Sequence, residues 1–176
     1  MNFRRFFLVD ESKWFRTFAA MTDDFTFPEK EVLKKLTRFC AYRDRSKSEV
    51  EQKLRALGVN ADKAAKFITL LENENYLNQK RFVEAYINGK LHRNHWGKIK
   101  IIAGLRARHI SGEDISTGIA RIDTGDYYAI LKKVLQSKAA LLKVADDKLK
   151  RQKLIAYAAS KGFTYDEIIN CLKDME

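Results

Sequence analysis

From residue 28 onward, apolar side chains recur at steps of three and four, a spacing that predicts helix after helix rather than strands. Val32, Leu33, Leu36, Phe39 and Cys40 form the first stripe. Pro28 stands where a first helical turn tolerates a missing N–H. Ser46-Lys-Ser-Glu49 has the spacing of a capping box and opens a short helix with Val50, Leu54 and Leu57 inward. Gly58 stops that helix. Asn60 then caps a third helix, which carries Ala64, Phe67, Ile68 and Leu71.

The same order recurs twice. A long helix holds Phe82, Val83, Tyr86, Ile87 and Leu91, and a shorter one holds Ile99, Ile102 and Leu105. Ser111 caps the next, with Asp114 at the reciprocal position and Ile115, Ile119 and Ile122 inward. The last round has Tyr127, Leu131, Val134 and Leu135, then a segment over 149–159, then Thr164-Tyr-Asp-Glu167 before Ile168, Ile169 and Leu172. The cap residues Asn60, Ser111 and Thr164 lie 51 and 53 residues apart. Each follows an apolar residue (Val59, Ile110, Phe163), which in turn follows Gly58, His109 or Gly162. Leu-Arg-Ala falls at the same place in residues 53–59 and 104–110. This is a repeat of three-helix units of a little over fifty residues. Such units bury their apolar faces best by stacking on neighbours, so the expected fold is all-α: tandem three-helix repeats in an elongated, curved bundle. The divisions are 28–77, 78–125 and 126–176, after an N-terminal extension at 1–27. That extension holds eight aromatics with balanced charges. It is expected to lie partly against the body, with a helix near residues 11–21.

Composition narrows the partners. Hydrophobic residues make up 45% of the 176, enough for a core, and a single Pro with eight Gly suits long helices better than a turn-rich sandwich or barrel. The net charge is +11, which attracts polyanions. The surplus is concentrated. Residues 79–110 carry eight basic side chains against Glu84 alone, and residues 132–153 carry eight against Asp146 and Asp147. Residues 111–131 have one base and four acids. Like charges on neighbouring turns repel, and a partner of opposite sign relieves that cost.

No apolar run approaches the roughly 20 residues that span a bilayer, and the apolar stretch before Asp10 is too short for a secretory leader. An amphipathic membrane-surface protein is the weaker reading of the lysine-rich helices. Cys40 and Cys171 read as buried small apolar residues in a reducing, cytoplasmic setting. No Gly-rich phosphate loop, His-Glu-x-x-His or Cys-x-x-Cys occurs, so no enzyme, cofactor or metal is expected. His92, His95 and His109 read as solvated or hydrogen-bonding histidines, and the Asp146-Asp147 pair as a charge break or a helix start.

Three segments carry a resemblance. Arg45-Ser-Lys-Ser-Glu-Val-Glu-Gln-Lys-Leu-Arg-Ala-Leu-Gly58 resembles the R-S-x-x-E-L/V-x-x-K-L-x-x-x-G signature of the RecX family. Tyr76-Leu-Asn-Gln-Lys-Arg-Phe82 resembles its leucine–acid/amide–arginine–phenylalanine segment. Trp96-Gly-Lys-Ile-Lys-Ile-Ile, followed by Leu105, resembles its G-x-x-x-I-x-x-x-L pattern. The resemblance covers residues 28–176, with His109 standing where a glycine is usual. It implies a fold of tandem three-helix repeats. It implies binding in the groove of the RecA–single-stranded-DNA filament, with inhibition of strand exchange and ATP hydrolysis in DNA repair, recombination and the SOS response. RecA and single-stranded DNA, met directly or through the filament, are the implied partners of a cytoplasmic monomer.

The candidate contacts are Arg81, Lys90, Arg93, Lys98 and Lys100, followed by Arg106 and Arg108, with Trp96 beside them. Lys148, Lys150 and Arg151 extend the stripe. Arginine leads, because its planar fork pairs bidentately with phosphate or carboxylate. Lys100 and Arg108, eight positions apart, fall near one helix face. A direct DNA-binding protein of helix-turn-helix type is the alternative, since phosphate neutralisation needs only Lys and Arg.

Overall fold

A computed structural model describes residues 26–175. The expected helix near residues 11–21 lies outside them. Among the described residues the chain is helical throughout, with nine α-helices and one π turn. It divides into two compact units, at Gln79 and Lys80.

The first unit has three helices: α1 (Phe27–Tyr42), α2 (Lys47–Ala56) and α3 (Ala61–Asn73). Leu33, Leu36, Cys40, Val50, Leu54, Phe67, Ile68, Leu71 and Leu77 close into its core. The family-like segment at residues 45–58 is the corner of this unit. Arg45 lies over the Phe39 ring at 3.7 Å and donates to the Phe39 carbonyl. Ser46 caps α2 through the Glu49 amide, Glu49 returns a carboxylate to the Ser46 amide, and Arg43 closes on Glu49 at 2.6 Å. The start of α1 is tied to the start of α3 by Lys63 and Glu29 at 2.8 Å. That hydrogen bond, with help from the Thr26 amide and hydroxyl, holds the Glu29 carboxyl down from 4.5 to about 2.

The second unit holds α4 (Gln79–Asn88), a π turn (Gly89–Arg93), α5 (Lys98–Arg106), α6 (Gly112–Ala120), α7 (Thr124–Leu141), α8 (Asp147–Lys161) and α9 (Tyr165–Lys173). One continuous core serves all of them, from Phe82 and Val83 through Ile101, Leu105 and Leu131 to Phe163, Ile168 and Leu172. Asp146 caps α8, as a helix start should. Both cysteines are buried. One inward assignment fails. Ile99 is 54% exposed, and Ile101, fully buried, takes its place. The start of α5 is held by backbone bonds rather than by its apolar face, and this sets a rotation that three-residue spacing from Leu105 did not reveal.

The repeat register has a physical cause. Helices α2, α5 and α8 all end in the same reciprocal backbone motif. Val59, Ile110 and Phe163 donate back to Leu54, Leu105 and Ala158, while Gly58, His109 and Gly162 donate to Arg55, Arg106 and Ala159. In each case a left-handed residue, Gly58, His109 or Gly162 (φ of 75°, 58° and 95°), is followed by the apolar Val59, Ile110 or Phe163. The next residue, Asn60, Ser111 or Thr164, caps the following helix with its side chain. A helix end, an apolar plug and a helix start are thus compressed into three residues.

The start of α5 and the end of α8 meet backbone to backbone. α5 begins after Gly97, which has no side chain to cap it. The Gly97 and Ile99 amides instead donate to the Lys161 and Gly162 carbonyls at 2.9 and 3.1 Å, and the Lys98 amide donates to the Tyr127 hydroxyl. A Cβ on Gly97 would stand 2.2 Å from the Gly162 oxygen, and one on Gly162 would stand 2.6 Å from the Lys100 nitrogen.

Three outcomes follow. Gly97→Ala should cost about 2–3 kcal/mol in urea unfolding, because neither chain segment can retreat, whereas Gly112→Ala, with open space around it, should not destabilise. His109→Gly should raise stability by about 0.5–1 kcal/mol by relieving a left-handed side-chain-bearing residue. The Glu29 carboxyl should titrate near pH 2 by NMR. Its folded value lies below its unfolded one, so its contribution is full above about pH 4.5 and fades as pH falls toward 2.

Candidate nucleic-acid interface

The basic side chains singled out by sequence all belong to the second unit. Arg81 lies on α4, Lys90 and Arg93 on the π turn, Trp96 in the connection, Lys98, Lys100 and Arg106 on α5, and Arg108 just beyond it. The π turn ends at Arg93, and two residues later the left-handed φ of His95, 52°, lets the Trp96 amide reach back to the Lys90 carbonyl.

The structure assembles several of these residues into a row in which cations and rings alternate. The Arg108 guanidinium lies 4.9 Å from the Tyr86 ring centre. The Lys90 ammonium lies 5.5 Å from the same ring and 4.5 Å from that of Trp96. The Lys100 ammonium lies 4.9 Å from Trp96 and donates to the Ser160 carbonyl at 3.2 Å. Beside the row, Lys98 covers Tyr127 at 4.5 Å. The Tyr127 hydroxyl accepts from the Lys98 amide and donates to Glu167 at 3.2 Å. Burial first, and then that carboxylate, pushes the Tyr127 phenol well above its usual range, which keeps the donated proton in place.

Two energies oppose each other here. Lys90 and Lys100 share one indole and stand no more than about 9 Å apart, so their repulsion in water is at least about 0.5 kcal/mol. Each cation–ring contact at such a site contributes about 0.5–1 kcal/mol. Among the described residues, no carboxylate lies within ion-pair distance of Lys90, Arg93, Lys98, Lys100, Arg106 or Arg108. The charge is held but not neutralised.

Arg93 lies back across Gly89, and Arg106 is exposed at the end of α5. Arg81 and Arg151 are each engaged within the chain. Lys148, Lys150 and Arg151 stand at the start of α8, about 14–18 Å along its axis from Ser160, and do not join the row. Lys100 and Arg108 do share a surface, but through Trp96, Lys90 and Tyr86 rather than along one helix, which ends at Arg106. Tyr86, Lys133 and Lys161 were not in the sequence-derived set. Burial, together with the charges of Lys133, Lys161 and His92, holds the His95 imidazole below its usual value. The four-residue step from Tyr86 to Lys90 was the available signal. No group of three or more His, Cys, Asp or Glu side chains arranged to hold a metal occurs among the described residues. No helix there is long and apolar enough to cross a membrane.

Two family models match the second unit: RecX, second three-helix domain, over residues 78–119, and RecX, third three-helix domain, over residues 125–172. The chain belongs to the RecX family. A protein named regulatory protein RecX from Clostridium perfringens strain 13 is 31% identical over 124 residues, covering 69% of this chain and 58% of its own length. A protein of the same name from Chromohalobacter salexigens is 28% identical over 131 residues, covering 74% of this chain and 84% of its own. The chain therefore spans under two thirds of some RecX relatives and most of others. The crystal structure of RecX from Lactobacillus salivarius shares the fold, with a TM-score of 0.75 at 20% identity over 84% of this chain and 96% of that one. The all-α reading holds, and the glycine pattern at Gly97, Ile101 and Leu105 coincides with a capped helix start and two fully buried side chains.

Gly104 sits under the Tyr86 ring, where a Cβ would meet the hydroxyl at 2.1 Å, and Arg108 donates to the Gly104 carbonyl at 2.8 Å. Gly104→Ala should therefore swing Tyr86 aside and strip Arg108 of its ring contact, while its bond to the residue-104 carbonyl remains. The change should appear as an altered Arg108 Nε–H NMR signal, with stability shifting by less than about 1 kcal/mol because a helix interior prefers alanine.

Proposed function

We propose that this RecX-family chain regulates the RecA recombinase by seating the cation–ring surface of its second unit in the groove of the RecA–single-stranded-DNA filament. Bound there, it inhibits strand exchange and ATP hydrolysis, and so modulates DNA repair and recombination. The observation that carries this reading is the row from Arg108 to Lys100, cationic along its length and without a carboxylate partner among the described residues. Relatives named regulatory protein RecX support the choice of partner.

No catalytic group is needed. A folded unit that binds one filament state better than another shifts the filament toward that state, by as much as its two affinities differ. On this reading the protein acts as a cytoplasmic monomer without cofactor. Its repeats divide at 28–77, 78–125 and 126–176, and Lys98, Arg93 and Arg106 add long-range attraction around the row. Lys148, Lys150 and Arg151 form a separate contact at the far end of α8.

The test is charge reversal. Lys90→Glu with Lys100→Glu should raise the concentration needed for half-inhibition of filament ATPase and strand exchange at least tenfold, with co-sedimentation lost in parallel. Unchanged inhibition rejects this surface. Tight, sequence-specific duplex binding without recombinase would instead favour a helix-turn-helix DNA-binding protein.

A further inference from the structure

We infer that the row Arg108–Tyr86–Lys90–Trp96–Lys100 is a track for the phosphates of a single nucleic-acid strand, in which the two rings position cations and stack no base. This rests on the reading above for where the strand is met, but it concerns the chemistry of contact. Aromatic side chains among basic ones ordinarily suggest base stacking. Here the rings already have occupants. Trp96 has ammonium groups at 4.5 and 4.9 Å, and Tyr86 has an ammonium at 5.5 Å and a guanidinium at 4.9 Å. A base stacking on a ring face that a cation covers would displace a cation that the phosphate contact requires.

The donor count agrees. Lys100 gives one hydrogen bond to the Ser160 carbonyl and retains two N–H groups, and Lys90 has three to offer. Arg108 directs one nitrogen to the Gly104 carbonyl and the Tyr86 hydroxyl, which leaves donors on the rest of its fork. The sole acid in residues 79–110 is Glu84, which closes on Arg121 instead. An unbroken line of one sign matches a polyphosphate, whose charge repeats along its length, better than a protein surface of mixed sign. With the rings holding each cation, less side-chain freedom is lost when phosphate arrives. Tyr86 and Trp96 are therefore positioning residues.

The experiment uses the full chain with Trp14→Phe, so that Trp96 is the sole tryptophan. The probes are a single-stranded thymidine homopolymer, an abasic strand of equal length, and the RecA filament on the same homopolymer. The two bare strands should bind within about twofold of each other, with little quenching of Trp96 fluorescence. Lys90→Ala with Lys100→Ala should weaken both at least tenfold and lower the salt slope by about 0.7 per lost phosphate contact. Trp96→Leu should weaken both about fivefold while the circular dichroism spectrum stays unchanged, and should move the lysine Nζ-adjacent methylene signals downfield as the ring current is lost.

Binding of the abasic strand more than tenfold weaker, with strong quenching of Trp96, overturns the inference in favour of stacking. Loss of filament binding in the lysine variant with bare-strand binding intact also overturns it, and points to protein carboxylates as the contact. If the lysine variant loses the bare strands but keeps full filament binding, the track stands and the filament-groove reading falls.

Discussion

The amide of Gly97 reaches the carbonyl of Lys161, and the amide of Ile99 reaches that of Gly162, across a gap too narrow for one added carbon. A helix start leaves N–H groups without intrahelical partners, and a helix end leaves carbonyls. Here the start of α5 and the end of α8 satisfy each other directly. The Tyr127 hydroxyl takes the one remaining amide between them. The contact fixes where α5 begins and how it is rotated, so it decides that Ile101 and Leu105 enter the core while Lys98 and Lys100 do not. It also sets Trp96, the residue before Gly97, beside Lys90 and Lys100. Without that junction the cations would still be present in sequence but would have no common surface.

Rings rather than carboxylates hold those cations, and the difference has a physical consequence. An ion pair consumes the charge it orders, and at an exposed site salt weakens it. An aromatic face orders an ammonium or guanidinium and leaves its charge available to a third party. The first unit uses both devices in a different way. There Arg45 covers Phe39 but is also shared with Glu49, and the result is a structural corner.

Much of this was legible in the chain. The caps at Ser46, Asn60, Ser111 and Thr164 follow from residue type and spacing alone. So does the trio that precedes three of them, because a left-handed residue, an apolar plug and a cap must come in that order. His109 fits this pattern without being glycine, since its φ of 58° is still reachable by a side-chain-bearing residue. Ile99 did not read correctly. Its rotation depends on Gly162, more than sixty positions away, and no local periodicity carries that information. The row was half legible for the same reason. Its cations stood out by number, but Tyr86 looked like a core residue, and only the fold shows its ring to be shared by Lys90 and Arg108.

The described helices close around two hydrophobic cores, one for α1 to α3 and one for everything after them. The sequence repeats three times, yet the smallest piece that keeps its own interior after residue 80 contains two repeats, because neither half can cap the other's helix ends when cut away. Shortening the protein from its C-terminus would therefore dismantle the middle repeat as well. Residues 80–175 therefore behave as one packing unit, whose interior survives whole or not at all.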